Sequence, residues 1–332
     1  MVLGLPHIGR RRAVQSALAA ALALALLLWW LLPLGGGPQP RGTVTLATGV
    51  PTGVYERYGK LLREDLAREL PDVGVRLQHS EGSVQNLQRL ASGKASFTIA
   101  TADATAAYLD GRRKDAGRLR ACARLYDDYM QLVVPAGSKV ESAKDLRGLR
   151  VGVGQRGSGV NLITRRLLKA TGLDPAKDLD AVPIGIDRAP RQLREGRIDA
   201  FFWSGGLPTA AISDLAAAFP IELVQLGDLV TRLHAQGAPT RYYRAAVMPA
   251  DAYPTVQRGR AVKTIAVANL LVTTDRAADD LTEGVTRTVI HSRDRIGRKV
   301  HAAQKVDLRT AIFTDPLPLH EGARRYYRSA KP

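Results

Sequence analysis

The chain has 332 residues, 45% of them hydrophobic, and a formal net charge of +17. That length allows two lobes with a core each, and a lone cysteine, Cys122, excludes an internal disulfide and a thiolate metal cluster. The basic balance raises the question of a nucleic-acid partner. The arginines are scattered, however, and zinc-finger spacing and aromatic-rich RNA-binding patterns are absent, so none is expected. The histidines show no HExxH or other ligand spacing, and neither a metal nor a cofactor is expected. The first feature in chain order is Arg10-Arg11-Arg12, followed by an Ala/Leu run from Ala13 to Leu34 with Trp29-Trp30 near its far end. About 22 residues at 1.5 Å rise span roughly 33 Å, enough for a bilayer. The arginines are expected in the cytoplasm and the rest of the chain outside. A cleaved signal peptide is the alternative; the run's length favours an uncleaved signal anchor. Gly35-Gly36-Gly37-Pro38 then reads as a flexible tether.

From Thr43 the pattern alternates between strand and helix. Strands are expected at Thr43 to Ala47, Val73 to Gln78, Ser96 to Ala100, Arg120 to Tyr126 and Gln131 to Pro135. Between the first of these lie helical runs at Tyr55 to Leu70, Val84 to Ser92 and Ala102 to Leu109. A second such series starts near Leu149, with strands at Ala181 to Ile184, Ile198 to Trp203 and Ile221 to Leu226. The apolar run Val262 to Thr273 suits a strand crossing between lobes, and Ala277 to Ala330 reads as helices. This order predicts α/β lobes with a mostly parallel sheet, the second lobe inserted into the first. In such sheets ligands bind beyond the carboxyl ends of the strands, where the glycine- and serine-rich turns of this chain fall.

The turn Gly152 to Gly159 spells GxGxxG between a strand-like and a helix-like run. As a dinucleotide fingerprint it lacks the acid: Asp174 and Asp178 precede the next strand, and Asp187 comes too late. As a serine-hydrolase elbow it fails because Arg156 stands where the first glycine is required. An anion cradle needs only Ser158, Gly159 and the free N–H groups of the following helix, although a plain capped turn has the same residues. Companion turns carry Tyr55, Ser83 with Asn86, Asp103, and Trp203 with Gly206, and each has a core or capping reading beside the binding one.

Taken together, certain motifs resemble those of the TAXI-type solute receptors of tripartite ATP-independent periplasmic (TRAP) transporters. They are Gly53-Val54-Tyr55, Gly82-Ser83-Val84-Gln85-Asn86, Asp145-Leu146-Arg147-Gly148, Gly157-Ser158-Gly159, Gly196-Arg197-Ile198-Asp199-Ala200, Gly206-Leu207-Pro208 and Pro318-Leu319-His320-Glu321-Gly322. The resemblance runs from about Thr43 to Ser329. It implies a two-lobed periplasmic-binding-protein fold of type II-like form, closing on a small carboxylate-bearing ligand and delivering it to TRAP permease subunits. Carried over by motif, Tyr55, Ser83, Asn86, Asp103, Ser158 and Gly159 are expected to line the cleft, with Trp203 and Gly206 at its wall. The chain departs from the family at Glu56, Thr101 and Val160, where a second tyrosine, a glutamine and a threonine are common.

The expected organisation is therefore a basic segment 1–12, an anchor or signal segment 13–34 and a linker 35–42. One lobe follows from 43–134 with 266–332, and the other from 135–265. The expected function is extracytoplasmic binding of a small anionic metabolite, glutamate- or 2-oxoacid-like, without catalysis. A membrane-anchored sensory receptor is the alternative, and an enzyme the third reading.

Overall fold

The computed structural model of the protein describes residues 10–31, 40–111, 113 and 115–330. Parts of the expected segments lie outside the described residues: 1–9 of the basic segment, 32–34 of the apolar run and 35–39 of the linker. The chain divides into two units, one holding the helix Arg10–Leu31 and the other beginning at Pro40. Ala and Leu, strong helix formers, fill that helix, and no Gly or Pro interrupts it. Leu18, Leu22, Leu24, Leu26 and Leu27 all stand exposed on it. Among the described residues no helix is long and apolar enough to cross a membrane, so the spanning anchor expected for 13–34 finds no support in the described segment.

The unit from Pro40 is built on strands β1 (Gly42–Ala47), β2 (Val73–Gln78), β3 (Phe97–Thr101), β4 (Leu119–Pro135), β5 (Arg150–Gly152), β6 (Asp180–Val182), β7 (Ala200–Gly205), β8 (Ile221–Val224), β9 (Arg244–Met248) and β10 (Val262–Thr274). The sheet order is β2-β1-β3-β10-β4-β7-β5-β6, with β8 paired to β4 and β9 to β10. Among the named strands, parallel pairing is confined to β2-β1-β3 and β6-β5-β7. The middle is antiparallel: β10 against β3, β4 and β9, and β4 against β7 and β8. The mostly parallel sheet expected from the element order is thus corrected to two parallel triplets joined by an antiparallel pair. The reason lies in the connections. β4 carries the chain out of the first triplet and β10 carries it back, so the two must run in opposite senses.

The two strands expected at 120–126 and 131–135 are one continuous strand, β4. Its acidic residues do not break it, because Asp127 and Asp128 pair with Ala268 and Val267 of β10. The ladder slips between Ala268 and Leu270, placing Asn269 in an irregularity of the β4–β10 register. Such bulges bend a strand and re-aim side chains, often beside a site. Strand β9 had no apolar alternation to announce it; pairing with β10 makes it a strand.

Two cores flank the sheet. One gathers Leu46, Tyr58, Leu62, Ile99, Leu271, Val289 and Tyr326. The other gathers Leu132, Val133, Leu167, Phe201, Ile212 and Ile265. Both helix faces packed here show the expected apolar spacing: Tyr58, Leu62 and Leu66 on helix Val54–Glu69, and Ile163, Leu167 and Leu168 on helix Gly159–Thr171. The second helix starts where Ser158 accepts a hydrogen bond from the Asn161 N–H at 3.0 Å, and ends at Gly172 with φ of 85°.

Candidate functional site

A cleft containing about 590 Å³ of space between atoms, part of it open to solvent, lies beyond the carboxyl ends of β1, β3, β5 and β7. Its walls come from both parallel triplets. On one side are Gly49, Gly53, Tyr55, Ser83 and Thr101; on the other are Gly154, Ser158, Gly159, Phe202 and Trp203. The two sides touch at the rim, where the Gln85 N–H donates to the Gly157 carbonyl at 3.0 Å. Gly82, with φ of 124°, packs its backbone in van der Waals contact range of Ser158, where a Cβ would stand 3.4 Å from Ser158 Cα. Only a residue free to adopt that φ can close the rim there.

Three helices begin on the cleft: Val54–Glu69, Ser83–Ala91 and Gly159–Thr171. Each N-terminus carries N–H groups without intrahelical partners and roughly half a positive charge. At the third, Asn161 N is satisfied by Ser158 Oγ and Leu162 N by the Ser158 carbonyl. The N–H groups of Gly159 and Val160 have no protein acceptor among the described residues. A Cβ on Gly159 would approach Ser83 Oγ to 3.0 Å and Thr101 Oγ1 to 3.4 Å, so glycine keeps this terminus open to the cleft. That arrangement can hold a carboxylate or similar anion through backbone N–H groups alone.

The floor is a polar chain across β3, β10 and β4. Tyr55 Oη donates to Asn269 Oδ1 at 2.5 Å. The phenol has a single hydrogen, so the 3.1 Å contact with Ser83 requires Ser83 Oγ to donate to Tyr55. Ser83 Oγ in turn accepts from the Thr101 N–H at 3.2 Å. Thr101 stands directly opposite Asn269, and Asp128 opposite Val267, so Asn269 and Asp128 are diagonal neighbours on one face. Three atoms of this row are buried without a partner among the described residues: Thr101 Oγ1, Asn269 Nδ2 and Asp128 Oδ1. Burial pushes the Asp128 carboxyl up to about 7, against the pull of the Asn269 amide, with Asp127 and Asp103 raising it further. Burial, and then the charge of Asp128, hold the Tyr55 phenol well above its ordinary value.

Of the residues singled out from the sequence, Tyr55, Ser83, Ser158, Gly159 and Trp203 line the cleft. Asn86, Asp103 and Gly206 do not, and the expectation for them is corrected. Asn86 lies beneath, its amide donating to the carbonyls of Thr48 (2.7 Å) and Ile99 (3.0 Å) while its oxygen accepts from Ser80 (2.6 Å). Its hydrogen-bonding capacity is spent inside the protein. Asp103 is buried with Arg166 and Tyr243, accepting from them at 3.1 and 2.6 Å. Gly206 faces away: its carbonyl accepts from Thr209, and a Cβ there would meet Ala302 at 2.4 Å. Trp203 holds its place by donating from Nε1 to Thr209 Oγ1 at 3.0 Å. Asp128, Asn269 and the role of Thr101 were missed. The available signals were an acid inside a strand-forming stretch and a lone amide inside the apolar run Val262 to Thr273.

The fold has many relatives among solved structures. A protein from Bordetella bronchiseptica RB50 matches at TM-score 0.51 and 18% identity, over 88% of this chain and 90% of that one. A structure from work on glutathione import through a cystine ABC importer of Streptococcus mutans matches at 0.51 and 14%, over 81% and 98%. An ancestral arginine-binding protein, solved with arginine, matches at 0.50 and 17%, over 78% and 98%. At these identities the likeness concerns the fold, which is the two-lobed α/β fold of periplasmic binding proteins. The family model described as the NMT1-like family matches residues 46–330.

Proposed function

Since this chain belongs to the NMT1-like family, we propose that it is an extracytoplasmic solute-binding receptor that passes a small carboxylate-bearing solute to a membrane importer. The observation carrying this reading is the pair of N–H groups at Gly159 and Val160, without acceptors among the described residues, at a helix N-terminus that lines a cleft shared by the two halves of the sheet. The motifs from Gly53-Val54-Tyr55 to Pro318-Leu319-His320-Glu321-Gly322 favour a TRAP permease as the importer. Export is favoured by Arg10–Arg12 at the start of the helix Arg10–Leu31, ahead of its Ala/Leu run. In this reading the lobes 43–134 with 266–332 and 135–265 close on the solute by bending at β4 and β10. The polar floor has no arrangement of nucleophile and base that would turn the solute over, which favours binding without catalysis.

The test is thermal unfolding of the purified full-length protein against a broad panel of carboxylates. A bound solute at a hundred times its Kd adds about 2.7 kcal/mol of stability. Absence of any shift across the panel, together with no co-purifying small molecule by mass spectrometry, would remove the receptor reading. Affinity capture from membranes separates the importers: TRAP membrane subunits are expected, and ABC subunits in their place would overturn that part.

A further inference from the structure

The cleft of this strongly basic protein is acidic. Among its described lining residues are Glu81 and Asp128, with no Lys, Arg or His. Whatever positive character the cleft has comes from helix N-termini, which serve one anionic group well. Asp128 also lines the cleft; it is 4% exposed, and although the Asn269 amide lies near enough to lower its carboxyl value, its Oδ1 makes no hydrogen bond of normal geometry among the described residues. A buried carboxyl oxygen left without a partner is costly, and one that borders a ligand cleft is satisfied by what enters.

Two of the side chains that line the cleft with Asp128, those of Tyr55 and Ser83, have no donor left for an entrant. The Tyr55 hydrogen is spent on Asn269 and the Ser83 hydrogen on Tyr55, as the single-hydrogen argument requires. Ser83 keeps one lone pair after accepting from Thr101 N. The Asn269 amide lies beside Asp128 on the same sheet face and opposes the burial that raises its carboxyl to about 7, and a cation seated there would favour the ionised form further. A second carboxylate on the solute brought against the buried Asp128 would meet a like charge in a low-dielectric space, and the two repel.

We infer that the solute carries a protonated nitrogen seated on Asp128, together with a single anionic group at Gly159–Val160, and is zwitterionic or cationic rather than a dicarboxylate. This rests on the receptor reading above and narrows it: Asp128 is the residue that selects for the nitrogen, and the unpartnered Thr101 Oγ1, on the far side of β10, is a further hydrogen-bonding group lining the cleft.

Matched pairs test it by calorimetry on the full-length protein: L-leucine against 4-methyl-2-oxopentanoate, L-glutamine against 2-oxoglutaramate, and 4-aminobutyrate against succinate. In whichever pair binds, the nitrogen-bearing member is expected to bind at least tenfold more tightly. Asp128→Asn is expected to erase most of that preference. If the oxo acid or dicarboxylate binds as tightly as its partner, the inference is overturned while the receptor reading stands. If no member of any pair binds and no solute co-purifies, both fall. The wild-type pairs decide the matter even if Asp128→Asn does not fold.

Discussion

Asp103 and Arg166 form a buried ion pair at 3.1 Å, between the helix that follows β3 and the helix that follows β5. Their side chains are 2% and 15% exposed, and Tyr243 completes the cluster by hydrogen bonding to both. Removing one member leaves the other charge buried and uncompensated. Asp103→Ala is expected to cost about 3 kcal/mol in urea unfolding, whereas Asp103→Asn combined with Arg166→Met should cost less than the two single changes added together. Additive costs would mean the pair is not coupled. Because the pair joins the two halves of the sheet, the double variant is also expected to bind solute more weakly by favouring the open form.

Asn86 separates structural from binding roles. With all three of its hydrogen bonds made inside the protein, Asn86→Ala should destabilise by about 2–3 kcal/mol through the groups it orphans. Solute affinity, measured well below the unfolding temperature, should stay within about threefold of wild type. A large loss of affinity in a folded variant would return Asn86 to the site.

The Asp128 carboxyl gives a pH signature. Its folded value of about 7 lies above the ordinary 3.8, so the folded protein holds this proton more tightly than the unfolded chain. The stabilisation from that proton is full below pH 3.8 and is lost as pH rises to about 7. Across that window the loss is about 1.4 kcal/mol per pH unit. Denaturation at pH 5, 6, 7 and 8 should show the slope in wild type and its removal in Asp128→Asn. Asn269 opposes the shift, and Asp127 and Asp103 reinforce it, so Asn269→Leu is expected to raise the titration midpoint further.

Gly154 and Gly148 share a φ of 76° but differ in surroundings. A Cβ at Gly148 meets nothing within 4 Å, whereas one at Gly154 would stand 2.7 Å from the Asn161 nitrogen. Gly148→Ala therefore carries conformational strain alone, about 1 kcal/mol. Gly154→Ala adds a clash with the first turn of the helix capped by Ser158, and should cost more than about 2 kcal/mol and weaken solute binding as well. Equal costs measured by chemical denaturation would contradict the clash.

Much of this was legible in the sequence. Apolar periodicity located the helices around Tyr58–Leu66 and Ile163–Leu168, because a helix that packs on one face must repeat its apolar residues. The turn ending in Gly157-Ser158-Gly159 announced a capped helix N-terminus, because capping is local chemistry between neighbours. Its GxGxxG spelling proved less informative than its last three residues. What only the tertiary structure decided depends on partners far along the chain. The fusion of 120–126 and 131–135 into β4 needed β10, more than a hundred residues away, to pair with it. Asn86 and Asp103 could not be told from ligand-facing residues until the carbonyls of Thr48 and Ile99, and the side chains of Arg166 and Tyr243, were in place beside them. The unpaired oxygen of Asp128 emerged the same way. A sequence shows that a carboxyl exists; only the folded packing shows that it is buried and that its Oδ1 lacks a hydrogen-bond partner among the described residues.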